Sequence, residues 1–138
     1  IYLFVTGVSM IFVGQLSDKI KKEVLMIMGY FLNAVFTFAY LLVSTPYHLF
    51  VVQAGLGVAW ALAAPTWDAL YAKQEDKKHD GSAWGFADGL PKIITAVSIM
   101  IGGFIVSNFS FDLLFIIMGC VQVIATLYQA KIFYIKNK

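Results

Sequence analysis

Charged residues are scarce in this sequence, and arginine is absent. Only 13% of the 138 residues are charged and 60% are hydrophobic, whereas a soluble domain carries roughly 25% charged residues. So few charges cannot cover a water-facing surface, which excludes an ordinary soluble domain. The single cysteine, Cys120, excludes an internal disulfide and has no second cysteine nearby to form a metal pair. We expect it to be a small buried hydrophobic residue.

Long apolar runs are what the sequence has instead. A hydrocarbon core about 30 Å thick is spanned by about 20 apolar residues in a helix, and backbone groups in lipid must satisfy their own hydrogen bonds, so these runs are predicted to be helices. The predicted helices are about 1–13, 24–43, 49–72, 83–106 and 113–130. The predicted fold is an all-α polytopic membrane bundle, a single membrane domain over residues 1–138. The first helix is short because the chain opens inside it, which we interpret as a fragment that has lost its beginning.

The positions of the lysines predict which side of the membrane each link occupies. Three fall in the first link, three in the third and three in the tail, and the second and fourth links have none. Links this short predict sequential helices that run antiparallel and side by side, so nine of the ten lysines lie on one side. The positive-inside rule makes that side cytosolic. We predict a multi-pass protein of the cell membrane with a cytosolic C-terminus, in contact with the lipid bilayer.

The first predicted link carries a distinctive pattern, GQLSDKIKKEVLMIMG, over residues 14–29. It resembles the loop signature of the major facilitator superfamily, G-x-L-S/A-D-R/K-x-G-R/K-R/K. Lys21 replaces the usual second glycine and Glu23 replaces a usual base. The resemblance implies a loop that latches a cytosolic gate, with its acidic and basic residues pairing across two halves of a transporter. The gate residues it implies are Gly14, Asp18, Lys19 and Lys22. Gly14 would also admit a neighbouring helix, and Asp18 would cap the next helix or meet a helix N-terminus across the link.

The remaining segments resemble later helices of the same family. Residues 55–73 are similar to its fourth or tenth helix, and residues 81–104 to its fifth or eleventh. Antiporters often carry G-P-x-x-G-G there; this chain keeps the two glycines but has Ser98 and Ile99 in place of Gly-Pro, which argues against antiport. The resemblance implies the last five helices of one six-helix half, working with a second half in cis or as a dimer. The glycines expected to pack against neighbouring helices are Gly57, Gly102 and Gly103.

Three charged residues lie inside predicted helices, where a charge costs about 2.5–3.5 kcal/mol on insertion scales. They are Asp68, Asp88 and Lys92. Helical spacing places Trp84, Asp88, Lys92, Thr95 and Gly102 on one stripe of the fourth helix. Another stripe on the third helix holds Gln53, Gly57, Trp60, Ala64, Asp68 and Tyr71. We predict that the two stripes face one another or a common cavity.

Two interpretations of these charges stay open. In the first, Asp88 and Lys92 form an i, i+4 pair that neutralises itself while the lysine extends toward the interface. In the second, Lys92 and the two acids line a transport path, with Trp60 offering a stacking surface and Thr95 a hydrogen bond.

The motifs that are missing narrow the function. No nucleotide-binding G-x-x-x-x-G-K loop followed by Ser or Thr is present. The driving force for transport must therefore come from an ion or solute gradient, with H⁺ a candidate ion. His48 and His79 lie in links on opposite sides and cannot share a metal. We expect no enzymatic activity, metal, cofactor or nucleic-acid partner. The predicted function is secondary active transport of a small solute by alternating access; the alternative is a non-transporting membrane scaffold or assembly module.

Overall fold

The computed structural model describes residues 1–73 and 80–136, and this part of the chain is helical with no strands. Its α-helices are α1 (Tyr2–Ser17), α2 (Lys22–Ala39), α3 (Pro46–Ala72), α4 (Asp80–Asn108) and α5 (Phe111–Lys136), and a short 3₁₀ helix, Tyr40–Leu42, extends α2. The predicted all-α membrane bundle is therefore confirmed. The helices extend past most of the predicted ends, because polar residues beside an apolar run still continue the helical hydrogen bonding. Three of the lysines used to predict the orientation lie outside the described residues, namely Lys77, Lys78 and Lys138, and so does His79.

Four of these helices are long and apolar enough to cross a membrane. They are α2 with its 3₁₀ extension, α3, α4 from Gly81, and α5 to Ile135. The remaining helix, α1, is apolar but has only 16 residues, which is short for a span of about 20.

Local signals account for the start of α3. Thr45 is the N-cap, and its side chain accepts a hydrogen bond from the backbone N–H of His48 at 3.3 Å. Pro46 follows at the first helical position, where its missing N–H leaves no hydrogen bond unmade. The short second link therefore contains the residues that begin α3.

The α1–α2 link is built differently from the expectation. Asp18 is the C-cap residue of α1, while the N-cap of α2 is Lys21, which makes no side-chain cap hydrogen bond. The expectation that Asp18 caps the next helix is therefore wrong. The reason is that α1 extends to Ser17, which makes Asp18 the residue that ends α1 and places it three residues before the N-cap of α2.

Helix α3 is the centre of the bundle, with α1 and α2 both packed against it and α5 packed on α2. The expected packing of each helix beside the next in sequence holds for α2 with α3 and, more lightly, for α4 with α5, but α1 packs chiefly on α3. A short link constrains only the ends of two helices, and residues along their length decide which faces meet. A small core cluster joins the three helices through Val13, Leu25, Ala61 and Leu62.

Glycine makes the close approaches in this bundle. A Cβ on Gly29 of α2 would lie 2.7 Å from the carbonyl oxygen of Ala59 on α3, so only glycine fits there. Further along, the ring of Phe36 lies against Gly55 of α3. Residue numbers rise along α2 as they fall along α3, so the two helices run antiparallel.

The three glycines predicted to pack differ from one another. Gly57 is buried, and a Cβ there would lie 2.9 Å from the carbonyl oxygen of Tyr2 on α1. A Cβ on Gly102 would make an ordinary contact with Leu114 of α5 at 3.6 Å. Gly103 and Gly14 have no atom within 4 Å of such a Cβ among the described residues. The expected close packing at these last two positions is therefore not observed, because neither glycine faces a described helix.

Candidate functional site

A cavity of about 570 Å³ opens between α3 and α4. Helix α3 forms one wall with Trp60, Ala63, Ala64, Trp67 and Asp68, and α4 forms the other with Asp88, Pro91, Lys92 and Thr95. One residue of α2, Tyr30, completes the lining. The cavity exists because α3 and α4 meet little along their lengths: the main neighbours of α3 are α1 and α2, and α4 packs chiefly on α5.

The structure brings all five predicted path residues to this cavity. Trp60 and Asp68 lie on α3, and Asp88, Lys92 and Thr95 lie on α4. The outer parts of the predicted stripes point elsewhere. The side chain of Gln53 donates a hydrogen bond to the Tyr40 hydroxyl at 2.9 Å, and Gly57 packs on α1.

Two lining residues were not among the predicted site residues. Trp67 is seven positions after Trp60 and three after Ala64, so the helical spacing of the α3 stripe could have found it. Tyr30 belongs to α2, and only the packing of α2 against α3 places it near the site. No pattern within α2 marks this tyrosine.

Lys92 and Asp88 do not form the expected side-chain pair. The Lys92 ammonium (Nζ) donates a hydrogen bond to the backbone carbonyl oxygen of Asp88 at 3.0 Å. Among the described side chains, no cation lies within 4 Å of the Asp68 or Asp88 carboxylates, and neither carboxylate accepts a hydrogen bond. In this arrangement the lysine, one turn along, donates to a helix carbonyl, and both acids line the cavity.

An aromatic cluster joins α3 to α4 near their link. The rings of Trp67 and Tyr71 stack with centroids 5.1 Å apart, and Trp84 meets Tyr71 edge-on at 5.1 Å. The Tyr71 hydroxyl donates a hydrogen bond to the backbone carbonyl oxygen of Ala83 at 2.8 Å. This cluster ties the two walls together at one end of the cavity, since Trp67 belongs to both.

A second, polar cavity of about 370 Å³ lies at the α1–α2 link. Three predicted gate residues line it, namely Asp18, Lys19 and Lys22, and Leu70 and Lys73 reach it from the end of α3. The Lys22 ammonium donates to the Ser17 carbonyl oxygen at 3.1 Å. Gly14 is outside the lining, but its carbonyl oxygen accepts a hydrogen bond from the Ser17 hydroxyl at 2.8 Å. The loop pattern is therefore next to the end of α3 that also carries Asp68.

Potential metal ligands do not cluster in the part of the chain that the structure describes. No group of three or more His, Cys, Asp or Glu side chains lies close enough there to hold an ion. Cys120 is exposed on α5, which corrects its expected burial: in a membrane helix an apolar run faces lipid as readily as it faces protein.

Comparison with known proteins gives one family. The sequence model of the Major Facilitator Superfamily matches residues 1–138. No curated protein and no protein of known structure matches the chain significantly.

Proposed function

This chain belongs to the major facilitator superfamily, a family of membrane transporters, and from that premise we propose that it moves a small solute by alternating access. The observation that carries the proposal is the cavity between α3 and α4. It collects two carboxylates, one ammonium and two indole rings between apolar helices. Charges at membrane depth are costly and mark a functional path, and an inert membrane scaffold has no need of them.

The two cavity walls suggest how the site changes its exposure. Helix α3 is held by α1 and α2, while α4 has no comparable support along its length. Rocking of one helical unit against another around a fixed site is the general mechanism of such carriers. We propose that α4 moves relative to α3, and that the contact of Tyr71 with Ala83 and Trp84 closes one end of the cavity.

The orientation follows from the lysines. Lys19, Lys21, Lys22 and Lys73 lie at the end of the bundle that holds the polar cavity, and we propose that this end is cytosolic. By the alternation of helices, the C-terminus is cytosolic too. In this arrangement the α1–α2 loop is the cytosolic gate, acting with a second six-helix half in cis or in a second copy. An ion gradient, with H⁺ as the candidate ion, supplies the drive.

Thiol accessibility tests alternating access directly. In the full gene product, Cys120→Ser removes the one cysteine of this segment, and Thr95→Cys then places a thiol in the cavity wall. A membrane-impermeant maleimide is applied to right-side-out and inside-out vesicles. We expect labelling from both sides, because a carrier opens its site to each in turn.

A matched control comes from the same helix. Ile93 is 63% exposed and is not part of the cavity lining, so Ile93→Cys faces lipid and stays unlabelled from either side. Labelling of Thr95→Cys from one side only, under all solute and ion conditions, would contradict alternating access and favour the scaffold alternative.

A further inference from the structure

We propose that the solute of this cavity is an organic cation, with one amine or quaternary ammonium group on an apolar or aromatic body. This substrate class rests on the proposed transport function, since it assigns the α3–α4 cavity to the solute. It is supported by the charges, the rings and the hydrogen bonds of the lining.

The charge balance of the cavity is negative. Asp68 and Asp88 contribute two carboxylates and Lys92 one ammonium, which leaves a net charge of −1 when all three are ionised. Lys92 is the one lysine among the described lining residues, so pairing it with either acid leaves the other acid without a partner from that lining. A carboxylate at membrane depth without a counter-charge is costly, and a cationic solute beside it would offset that cost.

The position of Lys92 leaves both acids available to a cationic solute. Its ammonium donates to the Asp88 backbone carbonyl oxygen at 3.0 Å instead of to a carboxylate. Both acids line the cavity, and their carboxylates have no hydrogen bond and no cation within 4 Å among the described side chains. One acid belongs to each wall, so a cation bound between them would attract α4 toward α3 and link solute binding to closure.

The rings of the lining fit an organic cation. Trp60, Trp67 and Tyr30 all reach the cavity, and aromatic faces attract an alkylammonium group, tryptophan most strongly. Among the described lining residues, Thr95 and Tyr30 are the two that carry an uncharged hydroxyl, so this lining offers few hydrogen bonds to a polyhydroxylated sugar. A volume of about 570 Å³ is in the range of drug-sized ligand pockets.

Three probes of similar size test the role of charge. They are benzyltrimethylammonium, its uncharged carbon analogue neopentylbenzene, and the anion phenylacetate. Binding to the purified full gene product is followed by the change in tryptophan fluorescence. We expect saturable binding of the cation, binding at least about tenfold weaker for the uncharged analogue, and no saturable binding of the anion. Equal binding of the cation and its uncharged analogue, or preference for the anion, would overturn the proposal.

Matched substitutions locate the effect in this cavity. Asp68→Asn and Asp88→Asn should each weaken binding of benzyltrimethylammonium by about tenfold or more, because each removes a carboxylate facing the cation. Asp112→Asn makes the same chemical change at the start of α5, outside the lining, and should leave the affinity unchanged. An equal loss in all three variants would point to the overall charge and contradict the site.

Lys92→Gln should change the affinity in the opposite direction from the aspartate variants. It therefore distinguishes a charge effect from general misfolding, which would lower the affinity in every variant. Removing the ammonium makes the cavity more negative, so the affinity for benzyltrimethylammonium should stay the same or rise. Loss of cation binding in Lys92→Gln would overturn the proposal. Failure of the proposed substrate class can be told apart from failure of the proposed transport mechanism. Two-sided labelling of Thr95→Cys without cation selectivity would reject the substrate class alone. One-sided labelling would reject alternating access.

Discussion

Helices α3 and α4 are both long and apolar, and α4 is at least as apolar as α3, yet they are packed very differently. In the most apolar 18-residue window of α3, 44% of the residues are buried, while in that of α4 none is. Hydrophobicity therefore does not decide burial in this bundle. Small residues let helix backbones approach in lipid, and α3 buries three of them in its contacts, Ala59, Ala61 and Ala63. Helix α4 has small residues too, but a Cβ at Gly89 or Gly103 would meet no described atom within 4 Å, so the fit to a neighbour decides burial.

The difference assigns unequal parts to the two walls of the cavity. Helix α3 presents small residues to its neighbours and is the fixed wall in the mechanism proposed above. Helix α4 carries bulky exposed side chains, among them Ile94, Met100 and Phe104, and its firm attachment to α3 is at the Tyr71 end. A well-packed wall that faces a lightly packed wall is compatible with the proposed change in exposure of the site.

The largest effect should come from filling a contact of the fixed wall. Gly29→Val places a branched side chain where a single Cβ already lies 2.7 Å from the Ala59 carbonyl oxygen. We expect the free energy of unfolding to fall by about 1–3 kcal/mol, measured by circular dichroism in mixed micelles. The matched change Gly103→Val on α4 meets no atom within 4 Å and should alter it by less than about 0.5 kcal/mol. Equal losses in both variants would remove the contrast between the walls.

A smaller effect should follow from loosening the joint between the walls. Tyr71→Phe keeps the ring in its aromatic cluster but removes the 2.8 Å hydrogen bond to the Ala83 carbonyl oxygen. Hydrogen bonds between membrane helices average about 0.6 kcal/mol, so we expect the labelling rate of Thr95→Cys from the cytosolic side to rise about threefold. Tyr47→Phe, at a tyrosine that is exposed, should leave that rate unchanged. An unchanged rate in Tyr71→Phe would show that this hydroxyl does not hold the end of the cavity closed.

The smallest effect is expected at Cys120 of α5, which is outside the cavity lining. Cys120 is exposed, so Cys120→Ser should change the free energy of unfolding by less than about 0.5 kcal/mol. Solute transport by the full gene product should also be unchanged. A larger loss would place this cysteine in a contact and disqualify the cysteine-free background used for labelling.

Much of the candidate site was predictable because it depends on spacing within single helices. Positions Asp88, Lys92 and Thr95 are four and three residues apart, and Trp60, Ala64 and Asp68 are four apart, so each set must share a face. The contribution of Tyr30 was not predictable, since it depends on which helix packs beside α3. The hydrogen bond of Lys92 to a carbonyl instead of a carboxylate was not predictable either, because sequence spacing does not distinguish the two acceptors.

The amino-acid sequence alone determined that the chain is a helical membrane protein, how many apolar segments it has and which residues share a helical face. These follow from backbone hydrogen bonding in lipid and from the helical repeat, which act within one segment at a time. Only the tertiary structure decided that α1 packs on α3, that α4 packs on α5 and little on α3, and that a cavity opens between α3 and α4. Those outcomes depend on fits between side chains of different helices, such as Gly29 against Ala59, and such fits have no signature in either segment alone.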